Sequence, residues 1–183
     1  MAARKTAAKK PKSAKRKTVD LSELKARNAQ KDSLTLAMIH DAAKRVHGDI
    51  LKHTKPDLAF PVRSLKNVSY SADAGFFEIG KQKKVRTLTV NTVKSFAQTL
   101  RMMSLSKELV ENNDFATKRD AYYQSKNWDE ARFDEQTESD TVMDDIEALF
   151  SVRNLSRGQL RGVPEAHGGA VAGRLVVLDP GRD

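Results

Sequence analysis

Apolar side chains recur every three or four residues in three long stretches of the chain, the spacing of one face of an α-helix. The first predicted helix begins at a cap, Asp32 or Ser33, ends near Thr54, and buries Ile39, Ala42, Val46 and Ile50. The second runs from a cap at Asn91 to about Val110, and its apolar side is Val93, Phe96, Leu100, Met103 and Val110. The third begins at a cap, Ser139, and turns inward Val142, Ile146 and Leu149 or Phe150.

Shorter alternating stretches predict strands. Between the first two helices, strands are predicted at 68–70, 75–80 and 85–89, with turns at 72–74 and 81–84. Near the end of the chain, Ser156 caps a short helical turn. The glycine-rich stretch 161–169 is then predicted to be a loop between two strands, the second at 170–178. An order of helix, helix, helix and hairpin is that of a winged-helix DNA-binding domain, so the predicted class is α+β.

The third helix carries four acids that we expect on its outer face: Asp140, Asp144, Asp145 and Glu147. Two consecutive aspartates on a helix point in different directions, so Asp144 and Asp145 would not chelate Mg²⁺ as a pair. We therefore predict a solvated acidic face and no metal site in this chain.

Positive charge is concentrated at the N-terminus. Residues 1–17 hold eight of the 33 lysines and arginines and no acid, which leaves 25 bases against 24 acids. We predict a disordered basic tail over 1–31 and a domain over 32–183, because the tail has too little apolar surface to offset its ordering entropy. The tail resembles those of linker histones, and its cations would contact DNA phosphates, among them Lys9, Lys10, Arg16 and Lys17.

The chain has no cysteine, no apolar run that could span a membrane and no apolar core of a secretory signal. We therefore expect a cytoplasmic, nucleoid-associated protein without a membrane partner.

A shorter helix, predicted over 117–126, carries the candidate chemistry. Thr117 is a good cap, and residues four apart share a face, so Arg119 should lie beside Tyr123 with Asp120 flanking it. Tyr122 points about 100° away and aligns with Lys118. A free phenol, with a pKa of about 10, needs a nearby cation or base to act as a nucleophile. The alternative is an amphipathic helix whose tyrosines only pack.

The motif TKRDAYY at 117–123 resembles the catalytic-tyrosine motif found in the A subunits of DNA topoisomerase VI and in their relative, the meiotic double-strand-break protein. Similarity continues in FDEQTESD at 133–140, DDIEA at 144–148, SRGQL at 156–160 and GGAVAG at 168–173. The motifs occur in matching order over roughly 33–178, which is more specific than the tyrosine pair alone.

The resemblance implies a function. Tyr123 would attack a DNA phosphodiester and form a transient phosphotyrosyl link at a double-strand break. Arg119 would stabilise charge, Asp120 would orient Arg119, and Lys118, Arg157 and Arg161 would contact DNA. The family's partners are double-stranded DNA and an ATP-hydrolysing B subunit, in an assembly with two copies of each kind of subunit.

In the family, Mg²⁺ is bound by a Toprim domain, whose acids we do not find before Asp183. The expectation is therefore that this chain binds DNA but does not cleave it alone. The competing interpretation is a non-catalytic winged-helix DNA-binding protein with a linker-histone-like tail. A scaffold that binds no nucleic acid is the third.

Overall fold

The computed structural model describes residues 20–72 and 75–163, and within these ranges the fold consists of four α-helices and six short strands. The helices are α1 (Leu21–Leu51), α2 (Val93–Glu111), α3 (Lys118–Ser125) and α4 (Gln136–Ser151). The strands are β1 (Asp57–Pro61), β2 (Val68–Ser71), β3 (Phe76–Ile79), β4 (Lys83–Thr87), β5 (Ala116–Thr117) and β6 (Gly162–Val163). Single 3₁₀ turns span Leu65–Asn67, Asp129–Ala131 and Arg157–Leu160. The α+β class is confirmed.

The cap of helix α1 lies at least twelve residues earlier than predicted. Asp20 caps the helix, and its carboxylate accepts from the Ser22 backbone N–H at 2.9 Å. Residues 21–30 are exposed, so no buried apolar stripe could mark them as helical. The predicted disorder over 1–31 is therefore wrong from residue 21 onward. Residues 1–19, with Lys9, Lys10, Arg16 and Lys17, lie outside the described residues.

Two other helix predictions need correction. Helix α4 begins at a capping box formed by Glu135 and Glu138, whereas Ser139, the predicted cap, is fully buried within the first turn. The N-cap of α2 is Thr92 and not Asn91, the predicted cap. Val93 is 53% exposed, although its spacing placed it in the apolar stripe. Ile50 on α1 is likewise exposed. Terminal turns extend past the core, so helical periodicity overstates burial there.

The strands form three two-stranded sheets. β2 and β3 pair as an antiparallel hairpin, as the sequence predicted. β4 pairs with β1, a strand that was not predicted, and Ala59 lies opposite Val85. β4 begins at Lys83, so the predicted turn over 81–84 is wrong for its last two residues. β5 and β6 make a short parallel bridge between 116–117 and 162–163. The predicted strand 170–178 and the loop after residue 163 lie outside the described residues.

The core lies where α1, α2 and α4 meet the β1–β4 sheet. Met102 and Met103 of α2 are each 2% exposed, as expected of core-filling side chains. Phe60, Phe133 and Phe150 are buried with them. Helix α3 packs on α4 at the edge of this core, which leaves one of its faces open. Within the described ranges, no helix has the length and apolar content needed to cross a membrane.

Candidate active site

Helix α3 is bounded by local signals that the sequence carries. The Thr117 hydroxyl accepts from the Asp120 backbone N–H at 3.1 Å, and the Asp120 carboxylate accepts from the Thr117 backbone N–H at 3.0 Å. This reciprocal capping box satisfies donors that the first turn leaves unpaired. The predicted helix is confirmed to within one residue at each end.

Arg119 and Tyr123 lie on one exposed face of α3. Nε and Nη2 of Arg119 both donate to the Tyr123 hydroxyl oxygen at 3.3 Å. The guanidinium carbon also lies 5.7 Å from the centre of the Tyr123 ring. Tyr123 is 54% exposed, so its side chain is accessible to a molecule from solution. The predicted pairing of these two side chains is confirmed.

Asp120 is engaged at the helix cap. Besides the Thr117 N–H, its carboxylate accepts from the Thr117 hydroxyl at 2.8 Å. The backbone bond from Thr117, followed by the hydroxyl bond, holds the pKa of Asp120 below its ordinary value. These contacts make Asp120 a stabiliser of the turn that carries Arg119, and its predicted orienting role stays a prediction.

Tyr122 occupies a different environment from Tyr123. Its hydroxyl donates to the Asp134 carbonyl at 3.1 Å, and the ring is half-buried. Lys126 Nζ lies 4.2 Å from the ring centre and donates to the Phe133 carbonyl at 2.6 Å. The cation at the Tyr122 ring is therefore Lys126, whereas Lys118, with which the helical spacing aligned Tyr122, pairs with Asp144. The hydroxyl and the ammonium together tie α3 to the loop before α4.

The acids of α4 are not a solvated face: three of the four are in ion pairs, and one carboxylate oxygen of the fourth, Asp140, is buried. Asp145 is 7% exposed, and its carboxylate accepts from Arg63 and from Arg86, each at 3.2 Å. Asp144 pairs with Arg63, Lys118 and Arg157, and Glu147 pairs with Arg157. We call these seven residues the α4 charge network: Arg63, Arg86, Lys118, Asp144, Asp145, Glu147 and Arg157.

The three predicted DNA-contacting cations of the folded part are all in ion pairs. Lys118 Nζ and Arg157 Nη2 each lie 2.8 Å from Asp144 Oδ1. Arg161 Nη2 lies 2.8 Å from Asp32 on α1, and its guanidinium stacks over Phe115 at 4.9 Å. Arg161 is only 13% exposed. DNA contact by these residues stays a prediction, and their present partners give each of them a structural role.

Sequence reasoning missed Arg63 and Arg86, which lie 82 and 59 residues from Asp145 in the chain. No local spacing connects them to α4. The sequence analysis placed Asp145 on the outer face, so its burial, and with it the need for a partner, became visible only in the structure.

Within the described part of the chain, no group of three or more His, Asp or Glu side chains is placed to hold a metal ion. Three of the four acids of α4 face arginines and a lysine, which satisfy their oxygens without a metal ion. The described residues therefore do not fit a Mg²⁺ site. The resemblance implied that site for a further domain.

Comparison with known proteins agrees with the motifs. The model of the type IIB DNA topoisomerase family matches residues 94–159, which include α3, Tyr123 and most of the α4 charge network. The A subunit of type 2 DNA topoisomerase 6 from Methanocaldococcus jannaschii is 43% identical over 141 residues, 77% of this chain and 37% of that protein.

Two further relatives bear the same name. The protein from Methanosarcina acetivorans is 28% identical over 161 residues, 86% of this chain and 42% of that protein. The protein from Aeropyrum pernix is 35% identical over 115 residues, 56% of this chain and 30% of that protein. The chain thus spans less than half the length of these relatives. These matches confirm the predicted resemblance: the chain is a relative of the A subunit of type IIB DNA topoisomerases.

Proposed function

We propose that this chain is the tyrosine-bearing part of the A subunit of a type IIB DNA topoisomerase, with Tyr123 as its nucleophile. One observation carries the proposal: an exposed tyrosine receives two hydrogen bonds from one arginine on the same helix face. The relatives bear the name of a topoisomerase subunit, and the matched region contains this pair.

The reaction would be a transesterification. The Tyr123 oxygen forms a bond to a backbone phosphorus of DNA, and the bond from that phosphorus to a deoxyribose oxygen breaks. The phenol proton leaves to solvent, and the released sugar oxygen takes up a proton. No phosphoester bond is lost in the exchange, so the reverse attack reseals the strand.

Arg119 can contact both the attacking tyrosine and the phosphate that it attacks. Its planar guanidinium carries several N–H donors, so it can contact the phenol oxygen and a phosphate oxygen together. A fixed cation at that point stabilises negative charge as it develops on either oxygen. A lysine at 119 would place a point charge without the fork, so we expect Arg119→Lys to cleave more slowly.

The wider assembly is part of the proposal. A winged-helix arrangement of α2, α3 and α4 would present the exposed face of α3 to a duplex, and the basic tail would add salt-sensitive affinity. A partner B subunit would use ATP, and a Toprim domain would bind Mg²⁺. The described residues offer no site for that metal ion, so the proposed steps involve only Tyr123, Arg119 and the DNA.

Tyr123→Phe tests the proposal. The chain is combined with a Toprim-bearing polypeptide, a B subunit, Mg²⁺, ATP and supercoiled DNA, and protein-linked broken DNA is counted after denaturation. We expect Tyr123→Phe to abolish the adduct while DNA affinity stays within about twofold. Tyr70→Phe is the matched control, since Tyr70 is also exposed but lies on β2.

Three results would decide against cleavage by Tyr123. Adducts that persist in Tyr123→Phe would place the nucleophile elsewhere. Absence of adducts from the wild-type chain, with tight DNA binding and the same behaviour in Tyr123→Phe, would favour the non-catalytic DNA-binding protein. Negligible affinity for duplex DNA at moderate salt would favour a scaffold.

A further inference from the structure

The first residue of α3 is held by a carboxylate of α4 that takes no part in the chemistry proposed above. Lys118 Nζ lies 2.8 Å from Asp144 Oδ1. The same oxygen accepts from Arg157 Nη2 at 2.8 Å, and Oδ2 accepts from Arg63 Nη1 at 3.2 Å. One carboxylate thus joins α3, the turn at 157–160 and the segment after β1.

Helix α3 needs such contacts. It has eight residues, and isolated helices shorter than about 12–15 residues are marginal in water. Its two fully buried side chains, Ala121 and Ser125, are small, so apolar burial fixes the helix only weakly. The second turn is tied down by Tyr122 and Lys126, which donate to backbone carbonyls. Lys118 and Asp144 are the corresponding tie at the first turn.

The position of Lys118 at the first turn of α3 makes a negatively charged partner favourable. Lys118 and Arg119 both lie at the N-terminus of α3, where the helix dipole is positive and cations are unfavourable. Asp144 offsets that effect for Lys118 at a site where the two side chains are only 23% and 26% exposed. Without the carboxylate, Lys118 would lose this partner, whereas Arg63 would keep Asp145 and Arg157 would keep Glu147.

We propose that Asp144 is a positioning residue, which acts through Lys118 to fix the first turn of α3 and so the direction of Arg119 and Tyr123. Its catalytic part rests on the proposed function. A misplacement of reacting groups by about 1 Å can slow a reaction by about 10²-fold. The expected signature is a slower reaction of bound DNA, measured at saturating DNA so that any loss of affinity from the predicted DNA contact of Lys118 does not enter the rate.

The kinetic test measures adduct formation at saturating DNA in the reconstituted assembly. We expect Asp144→Asn and Lys118→Met each to slow the reaction by roughly 10–100-fold and the double variant to be no slower than the worse single one. Asp41→Asn, at an exposed position of α1, is the control for removing one negative charge. A wild-type rate in Lys118→Met overturns the proposal even if Asp144→Asn fails to fold. Weaker DNA binding with an unchanged rate at saturation overturns it as well.

Amide hydrogen exchange of the chain alone tests the structural part without any cleavage. We expect both variants to lose protection at residues 121–125 of α3, while α2 keeps the wild-type pattern. Equal protection in variant and wild type, or equal loss in α2 and α3, overturns the positioning role. If Tyr123→Phe still forms adducts, the proposed function fails and the catalytic part of this inference falls with it. The exchange result then still decides whether Asp144 holds α3.

Discussion

Arg86 and Asp145 form an ion pair between β4 and α4 that is largely removed from water. Their side chains are 12% and 10% exposed, and Nη2 lies 3.2 Å from Oδ2. Lys94 and Asp134 form a shorter pair, 2.6 Å, but are 48% and 61% exposed. Judged by distance alone, the exposed pair Lys94–Asp134 would stabilise the fold more. Judged by burial, it stabilises the fold less, because water and salt screen exposed charges.

We predict that Arg86→Met lowers the free energy of unfolding by about 2–3 kcal/mol, whereas Lys94→Met changes it by less than about 0.5 kcal/mol. Removing one partner of a buried pair costs roughly 3–5 kcal/mol when the other charge is left alone. Here Arg63 Nε remains 3.2 Å from Asp145, so the cost is smaller. Methionine can also cover the Phe60 ring, which lies 5.2 Å from the Arg86 guanidinium carbon.

Urea unfolding followed by far-ultraviolet circular dichroism measures both variants against the wild type. The slope with urea should stay unchanged, so that the midpoint alone reports stability. A fall of about 2–4 °C in Tm per kcal/mol should accompany it. Equal losses in the two variants, or a larger loss in Lys94→Met, would show that burial does not set the strength of these pairs.

Three further substitutions test the cap of α3 and two glycines. Thr117→Ala removes the cap of α3 and should cost about 1 kcal/mol near pH 7. The pKa of Asp120 is lower in the folded protein than in the unfolded chain. Its contribution to stability is therefore full above the unfolded pKa and is lost as the pH falls through the folded pKa. Urea melts between about pH 7 and pH 2 should show the destabilisation by Thr117→Ala becoming smaller as the pH falls. Gly80→Ala should destabilise by about 1–3 kcal/mol, since its Cβ would overlap buried Asn67. Gly48→Ala, on α1 with open space around its Cβ, should instead stabilise by up to about 1 kcal/mol, and thermal melts of both variants would reveal any reversal of sign.

The amino-acid sequence by itself determined the features that depend on residues within one or two helical turns. Thr117 and Asp120 bound α3 through their own side chains, and the spacing of Arg119 and Tyr123 brings them together on any helix. For the same reason, α2 and the hairpin of β2 and β3 were predicted close to their observed limits.

Only the tertiary structure decided which charges are neutralised and by what. Asp145 meets one arginine that follows β1 and another on β4, and Arg161 meets Asp32 across 129 residues. A charged residue on a helix face has the same local pattern whether water or a distant arginine lies opposite it. The strength of a charge pair is set by burial, and burial arises only when separate elements pack. That is why the acids of α4, predicted to face solvent, became the link between the core and the tyrosine helix.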